Sequence, residues 1–446
     1  MQGHSQDSPE ELVLLDPVLN TGKGFYLTVA VLLSIMAWAL FAWITQLRYG
    51  LGVTGLNRPV MWGFYITNFV FFIGVSHAGT LISAILRLCH AEWRRAITRS
   101  AELITVLVLF IGAANVILDL GRPERAIFVI LHGHLRSPLL WDVISVSMYL
   151  TASLIYFYLP LIPDVALLRD RTTKRRRLYR TLALGWTGTE RQWHWLEWGI
   201  ATMAIIVIPI AVSVHTVVSW VFGMTIQPMW HSTIFGPYFV VGAIFSGIAA
   251  LIVAMAVLRR VYHLESYLRE VHFNNLGLLL LVMTLLWFYF TFAEHLTTYY
   301  GGDPAHMAVF YAKVTGRYAV FFWAMVVCCF VIPLGILSRA RTRTVTGTVL
   351  VSFSVLIGMW LERFTIVVPT LVNPRLPYQR GAYWPSWVEV SLTAGCFAAF
   401  ILLYVIFSKL FPMVSVWEIR EGREKGFGEA VDRIKTYLPS AEEMAK

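Results

Sequence analysis

Ten long apolar runs constrain the fold of this chain more than any other feature of its sequence. A run of about 18 or more apolar residues is typical of a transmembrane helix, and helices satisfy their own backbone hydrogen bonds inside lipid. The sequence therefore predicts an all-α integral membrane protein of ten transmembrane helices. The runs cover residues 25–47, 61–89, 101–119, 138–161, 195–222, 234–258, 276–299, 317–337, 345–369 and 386–411.

The composition agrees with this fold class. Of the 446 residues, 57% are hydrophobic and only 14% are charged, whereas soluble domains carry about 25% charged residues. The first 24 residues are polar and acidic and lack the basic start of a secretory signal. We therefore expect the first apolar run to be a retained membrane anchor.

Basic residues are distributed unevenly among the loops, and this predicts the orientation. The loops after the even-numbered helices, including "RDRTTKRRRLYR", hold roughly twice as many Lys and Arg as those after the odd-numbered helices. This pattern predicts that residues 1–24 and the tail 412–446 are both cytoplasmic. It also explains the net charge of +10 without a nucleic-acid partner.

The sequence shows no pattern for a metal or redox centre. The four cysteines lie within or at the ends of predicted helices without metal-ligand spacing, and there is no CxxC, CxxCH, P-loop or GxGxxG motif. We therefore predict no metal, haem, iron–sulfur cluster or nucleotide bound by this chain. A b-type haem held by His77 and His215 is the alternative.

Ionisable residues inside the apolar runs are the candidate functional residues, since charges in the bilayer are costly and are usually functional. With the predicted orientation, most of them fall toward the outer side: Asp119, Arg122, Asp142, His215, Glu294, His295, Glu362 and Arg363. We expect Asp119 and Arg122 to form an ion pair that keeps the carboxylate charged. The alternative is a set of ion pairs that stabilise the bundle at the headgroup layer.

The second run carries a histidine within "GVSHAGTLISAILRL". At about 100° per residue, its polar side chains fall within an arc of roughly 120°. This arc predicts a proton path toward the cytoplasm, although packing of small residues is an equally simple explanation. The side chains in the arc are Ser76, His77, Thr80, Ser83 and Arg87.

Several stretches resemble one known family. "WGFYITNFVFFIGVSHAGTLISAIL", "RSAEL", "DLGRPER" and "MWHSTIFGPYFVVGAIFSG" are similar to the polysulfide reductase membrane subunits, the NrfD family. The resemblance extends from about residue 59 to 411. Ten helices and "HAGTLISAIL" look most like the quinol-oxidising membrane subunit of alternative complex III.

The resemblance implies two four-helix bundles, helices 2–5 (59–222) and 6–9 (234–369), flanked by helices 1 and 10. It also implies a multi-pass protein of the bacterial inner membrane that oxidises quinol, with menaquinol as substrate. His77 and Asp119 match positions that bind the quinone or take its protons, with Arg122 and Asp142 nearby. Glu294, His295, Glu362 and Arg363 match polar positions of the second bundle that serve proton movement, and His215 is expected on the same proton path.

The resemblance further implies partner subunits, since the electrons must leave the chain. An iron–sulfur subunit on the outer face is expected, with a multihaem cytochrome c and a second homologous membrane subunit. Three alternatives remain: the membrane anchor of a molybdopterin or polysulfide-type reductase, a sister subunit that binds no quinone, and a proton-coupled secondary transporter. The expectation that all helices are continuous argues against the transporter.

Overall fold

The computed structural model describes residues 9–173, 175–376 and 381–424. In these ranges the chain is helical, and no strand is present. In chain order the helices are α1 (Pro9–Leu19), α2 (Lys23–Tyr49), α3 (Phe64–Val75), α4 (His77–Leu88), α5 (Thr98–Asp119), α6 (Phe128–Leu131), α7 (Pro138–Tyr158), α8 (Ile162–Arg171), α9 (Arg176–Leu182), α10 (Glu190–Gly223), α11 (Phe235–Val261), α12 (Glu270–Gly301), α13 (Pro304–Val314), α14 (Ala319–Val326), α15 (Ile332–Leu337), α16 (Val345–Val372) and α17 (Trp387–Leu410).

The predicted all-α membrane fold is confirmed. Within the described ranges, nine helical segments are long and apolar enough to cross a membrane. The predicted second span is the tenth crossing, and it consists of the shorter helices α3 and α4 in succession. The span after α13 likewise consists of α14 and α15, joined by a π-helical turn at Val327–Val331.

Two predicted spans are interrupted, so the expectation of continuous helices was wrong at these places. Between α3 and α4, the carbonyl oxygen of Ser76 accepts hydrogen bonds from the hydroxyls of Thr105 (2.5 Å) and Tyr149 (3.1 Å). At the π turn, Pro333 has no N–H to donate to the preceding turn, and the Ser354 hydroxyl donates to the carbonyl of Cys328 (3.0 Å). Side chains from neighbouring helices thus satisfy the backbone at each interruption.

The helices pack in two groups and a flanking pair. One group contains α3, α4, α5, α7 and α10, and the other contains α11, α12, α14, α15 and α16. Helix α11 also packs on α3, α4 and α10, and α17 packs along α2. Gly79 allows α4 and α5 to approach closely, since a Cβ there would lie 1.9 Å from the carbonyl oxygen of Ala101.

The beginning of the C-terminal tail is part of the bundle. Asp164 accepts hydrogen bonds from the backbone N–H groups of Val416 (3.1 Å) and Trp417 (3.2 Å) and from the guanidinium of Arg99 (2.5 Å). Residues 412–424 therefore close one end of the first group of helices, which we call the tail side; the other end is the opposite side. The remainder of the predicted tail, 425–446, lies outside the described residues.

Candidate functional site

Two buried histidines meet inside the first group of helices. His77 is the first residue of α4 and His215 lies on α10, and their ring centroids are 3.8 Å apart at an interplanar angle of 71°. Both side chains are fully buried. The rings are in contact, so this arrangement leaves no space for a porphyrin between them.

The hydrogen bonds of His77 define its tautomer. Its Nε2 lies 2.7 Å from the carbonyl oxygen of Ala211, and a carbonyl can only accept. Nε2 therefore donates, and in the neutral ring Nδ1 is the free acceptor. Nδ1 of His77 and both ring nitrogens of His215 have no hydrogen-bond partner among the described residues. Buried polar atoms of this kind are rare in folded proteins unless a ligand or water satisfies them.

An arginine from the second group of helices lies beside this pair. Arg363 of α16 is buried, its charge acts on both imidazoles, and its guanidinium stacks on Phe239 with 4.8 Å to the ring centroid. Its Nη1 is 2.8 Å from a carboxylate oxygen of Glu362. The two groups of helices thus meet at a buried site with two imidazoles and one ion pair.

The second predicted catalytic residue, Asp119, does not lie at this site. Thr105 of α5 contacts the backbone of Ser76, directly before His77, and Asp119 follows Thr105 by fourteen residues on the same helix. A helical rise of 1.5 Å per residue places Asp119 about 21 Å further along α5. One quinone head group therefore cannot contact His77 and Asp119 together, so they do not form the single site expected from the sequence.

The expected ion pair between Asp119 and Arg122 is not formed by these two described residues. Asp119 ends α5, and the left-handed turn at Gly121 (φ 62°) carries the chain off the helix before the exposed Arg122. Asp119 lies instead within electrostatic range of Glu389 and Tyr65. Its Oδ1 and that of Asp142 on the neighbouring α7 are buried, and neither has a hydrogen-bond partner in the described ranges.

Glu389 is a structural residue of the opposite side. It caps the first turn of α17 by accepting from the backbone N–H of Ser386 (2.9 Å), and it also accepts from Gly55 N–H (2.6 Å) and the Tyr383 hydroxyl (2.5 Å). With these three donors its carboxylate holds two loops against the helix.

Two of the predicted polar residues of the second bundle line a small cavity. Glu294, His295 and Lys313 line a cavity of about 20 Å³, and Glu294 Oε2 and His295 Nε2 lack hydrogen-bond partners within the described residues. Burial lowers the pKa of Lys313 to about 8, although the charges of Glu294 and Glu362 act in the other direction. The sequence reasoning missed Lys313 because it lies between two apolar runs and not within one.

The predicted proton-path residues of α4 have different surroundings. Ser76 supplies the carbonyl at the helix interruption, Ser83 bonds to Glu102 (2.7 Å), and Arg87 pairs with Glu418 (2.6 Å). The side chain of Thr80 lies outside the described part. Among these contacts Glu102 and Glu418 were not predicted, although Glu102 is visible in the sequence as a carboxylate at the predicted cytoplasmic start of the third apolar run.

Within the ranges that the structure describes, no three His, Cys, Asp or Glu side chains are grouped as metal ligands. The absence of haem and iron–sulfur clusters remains a prediction.

Comparison with known proteins identifies the family. Residues 52–374 match the family described as "Polysulphide reductase, NrfD". The chain is 27% identical to a protein assigned as a membrane subunit of dimethyl sulfoxide reductase in Halobacterium salinarum, over 89% of this chain and 94% of the relative. It is 22% identical to the Hdr-like menaquinol oxidoreductase integral membrane subunit of Archaeoglobus fulgidus (89% and 95%). It is 23% identical to the menaquinone reductase integral membrane subunit of Nitratidesulfovibrio vulgaris (85% and 90%). The family match covers well over half of the chain, which therefore belongs to the polysulphide reductase NrfD family.

Proposed function

We propose that this chain is the quinol-oxidising membrane subunit of an electron-transfer complex, with menaquinol as substrate. Two relatives that match most of its length are named for menaquinol or menaquinone. The observation that carries the proposal is the buried His77–His215 pair with its three unpartnered ring nitrogens among the described residues. These ring nitrogens are available to form hydrogen bonds with a bound quinol.

His77 takes the first proton in this proposal. Quinol oxidation releases two protons and two electrons. The neutral His77 ring presents Nδ1 as an acceptor, and imidazole side chains commonly act as proton acceptors in catalysis. His215 is in contact and can accept the next. The ion pair of Arg363 with Glu362 places a positive and a negative charge beside the two imidazoles.

Asp119, Arg122 and Asp142 belong to the opposite side in this arrangement. We assign them to a route between quinone and the outer surface, because Asp119 lies about 21 Å further along α5 than Thr105, which contacts the backbone next to His77. Glu294 and His295 are assigned to proton movement in the second bundle, as the resemblance implied. The orientation follows from the loop charges, which put the tail side and both termini in the cytoplasm.

The electrons pass to an iron–sulfur subunit on the opposite side. Five large apolar side chains are exposed there between α5 and α7, on and around α6, and we assign this surface to the partner protein. They are Ile127, Phe128, Ile130, Leu131 and Leu135. If the complex is an alternative complex III, it also contains a multihaem cytochrome c and a second homologous membrane subunit.

The second candidate is the membrane anchor of a terminal reductase. It is favoured by the Halobacterium relative and by a selenate reductase subunit from Mesobacillus selenatarsenatis, which is 24% identical over 88% of this chain. The soluble proteins that copurify with the chain distinguish the candidates: a multihaem cytochrome c supports the first, and a molybdopterin oxidoreductase supports the second.

The test is quinol oxidation by the purified complex with a soluble electron acceptor. We expect His77→Ala to lower turnover by about 10²-fold or more, the usual contribution of a positioned proton acceptor. His194→Ala changes an exposed histidine of α10 and should leave turnover unchanged. Wild-type turnover in a fully assembled His77→Ala complex would remove His77 from the mechanism.

A further inference from the structure

Helices α4, α5 and α7 contribute two layers of polar side chains, which we call the polar column. The first layer, next to His77, contains the hydroxyls of Thr105 and Tyr149, which both donate to the backbone carbonyl of Ser76. The second contains the side chains of Ser83, Glu102 and Tyr156. Tyr149 and Tyr156 are seven residues apart on α7, which is two helical turns, so they lie on one helix face with a rise of about 10 Å.

The second layer surrounds a buried carboxyl group. The Ser83 hydroxyl donates to Glu102 (2.7 Å) and lies 3.1 Å from the hydroxyl of Tyr156. Glu102 is 2% exposed, and no Lys, Arg or His among the described residues forms an ion pair with it. A carboxyl group that is buried inside a membrane bundle with a hydrogen bond from one hydroxyl is costly and points to a function.

The column ends at an ion pair on the tail side. Arg87 follows Ser83 by one helical turn, and its guanidinium is 2.6 Å from Glu418. Arg94 is 3.4 Å from the other carboxylate oxygen of Glu418. The positive charges of Arg87 and, more weakly, Arg99 act on Glu102, while Glu418 repels its negative charge. Two partly exposed guanidinium groups, those of Arg87 and Arg94, thus lie beyond the second layer.

We propose that Glu102 is the proton-carrying group of the polar column and exchanges protons between the His77 site and the tail side. The proposal rests on the proposed quinone function. When quinol is oxidised, two electrons leave to the iron–sulfur partner and the protons remain. The Glu102 carboxylate binds one proton and becomes neutral, releases it past Arg87 and Glu418, and then carries the second proton in the same way. Quinone reduction uses the same steps in reverse, and no electron passes through the column.

The experiment uses the whole complex in liposomes sorted by the accessibility of a C-terminal tag. A pH-sensitive dye on the tail side measures proton exchange during quinol turnover, and absorbance of the acceptor measures electron transfer. We expect Glu102→Gln to slow tail-side proton exchange by about tenfold or more. A diffusible weak acid such as acetic acid should restore the rate. Glu265→Gln, an exposed carboxylate of a tail-side loop, should match the wild type.

Each result decides one question. Wild-type proton exchange in Glu102→Gln overturns the proposal, as does a slow rate that weak acid does not restore, since that result indicates a structural role. If Glu102→Gln does not assemble, Tyr156→Phe removes a single hydroxyl of the same layer and must show the same rescued defect. A wild-type complex that does not oxidise quinol contradicts the proposed function instead.

Discussion

Removing the carboxylate of Glu418 should destabilise the protein strongly, although the residue lies after the last transmembrane helix. Its side chain is 2% exposed and lies 2.6 Å from Arg87 and 3.4 Å from Arg94. Loss of one partner of a buried ion pair costs about 3–5 kcal/mol. Since the two arginine side chains are 15% and 12% exposed and can regain some hydration, we expect a loss of about 3 kcal/mol for Glu418→Ala.

The matched control is Glu421→Ala, three residues further along the same segment. Glu421 is 34% exposed, and its partner Arg95 keeps Glu92 at 2.6 Å, so the loss should be about 0–1 kcal/mol. The assay is unfolding of the purified protein in mixed micelles with increasing denaturing detergent. A free energy of unfolding for Glu418→Ala equal to that of Glu421→Ala would refute the structural role of this segment.

The pH dependence provides a second readout of the same pair. Burial alone would raise the pKa of Glu418, but the charges of Arg87 and Arg94 outweigh it and hold the pKa below its usual range. A carboxylate with a lowered folded-state pKa stabilises the protein above its unfolded pKa of about 4.3. This contribution disappears as the pH falls through the lower folded-state pKa. The difference between wild type and Glu418→Ala should therefore shrink below pH of about 4 and be constant above about 6.

Three further predictions concern other parts of the bundle. Gly79→Ala places a Cβ 1.9 Å from a backbone carbonyl oxygen of α5 and should lower the free energy of unfolding by about 1–3 kcal/mol. The control Gly335→Ala, which has nothing within 4 Å of the added Cβ, should leave it unchanged. Equal stability of the two variants in detergent would contradict the close contact. Tyr65→Phe removes the donor to the buried Gln46 side chain (2.6 Å) and should cost about 1–3 kcal/mol in the same unfolding assay. Burial lowers the folded-state pKa of Lys313 from 10.5 to about 8, so the folded protein binds fewer protons than the unfolded protein between these pH values. The free energy of unfolding should therefore rise with pH across that window, by on the order of 3 kcal/mol more than in Lys313→Met. Parallel pH profiles of the two proteins would contradict this burial.

The transmembrane architecture was predictable because the bilayer imposes a length and a polarity on each crossing. The interruptions were less visible. Pro333 is a sequence signal for the one at the π turn, which the expectation of continuous helices did not take into account, and the break at Ser76 has no proline nearby. It depends on hydroxyls supplied by Thr105 and Tyr149 from other helices, and no property of the second run by itself predicts those contacts.

The sequence predicted some neighbours of the candidate site residues and missed others. A polar arc on one helix follows from helical periodicity, and Ser83 and Arg87 do point to polar partners. The expected pairing of His77 with Asp119 was not found, because helical periodicity predicts which face of a helix a residue lies on but not its depth in the membrane. The depth was nevertheless readable: His77 lies near the middle of the run 61–89, whereas Asp119 ends the run 101–119. The contact between His77 and His215 required the packing of α4 against α10.

Hydrogen bonding separates the buried ionisable residues into two classes that the sequence alone could not distinguish. Glu389, Asp164 and Glu418 accept several hydrogen bonds each, from backbone N–H groups, hydroxyls or guanidinium groups, so their charges are used to hold loops and the tail against the bundle. His77 and His215 retain ring nitrogens with no partner among the described residues. Leaving such atoms buried costs about 1–3 kcal/mol each, and folding alone gains nothing from them. The unsatisfied class, which also includes Asp119 and Asp142 on the opposite side and Glu294 and His295 at the small cavity, is therefore where we expect a substrate or its protons to bind. His77 and His215 are its members in the middle of the bundle.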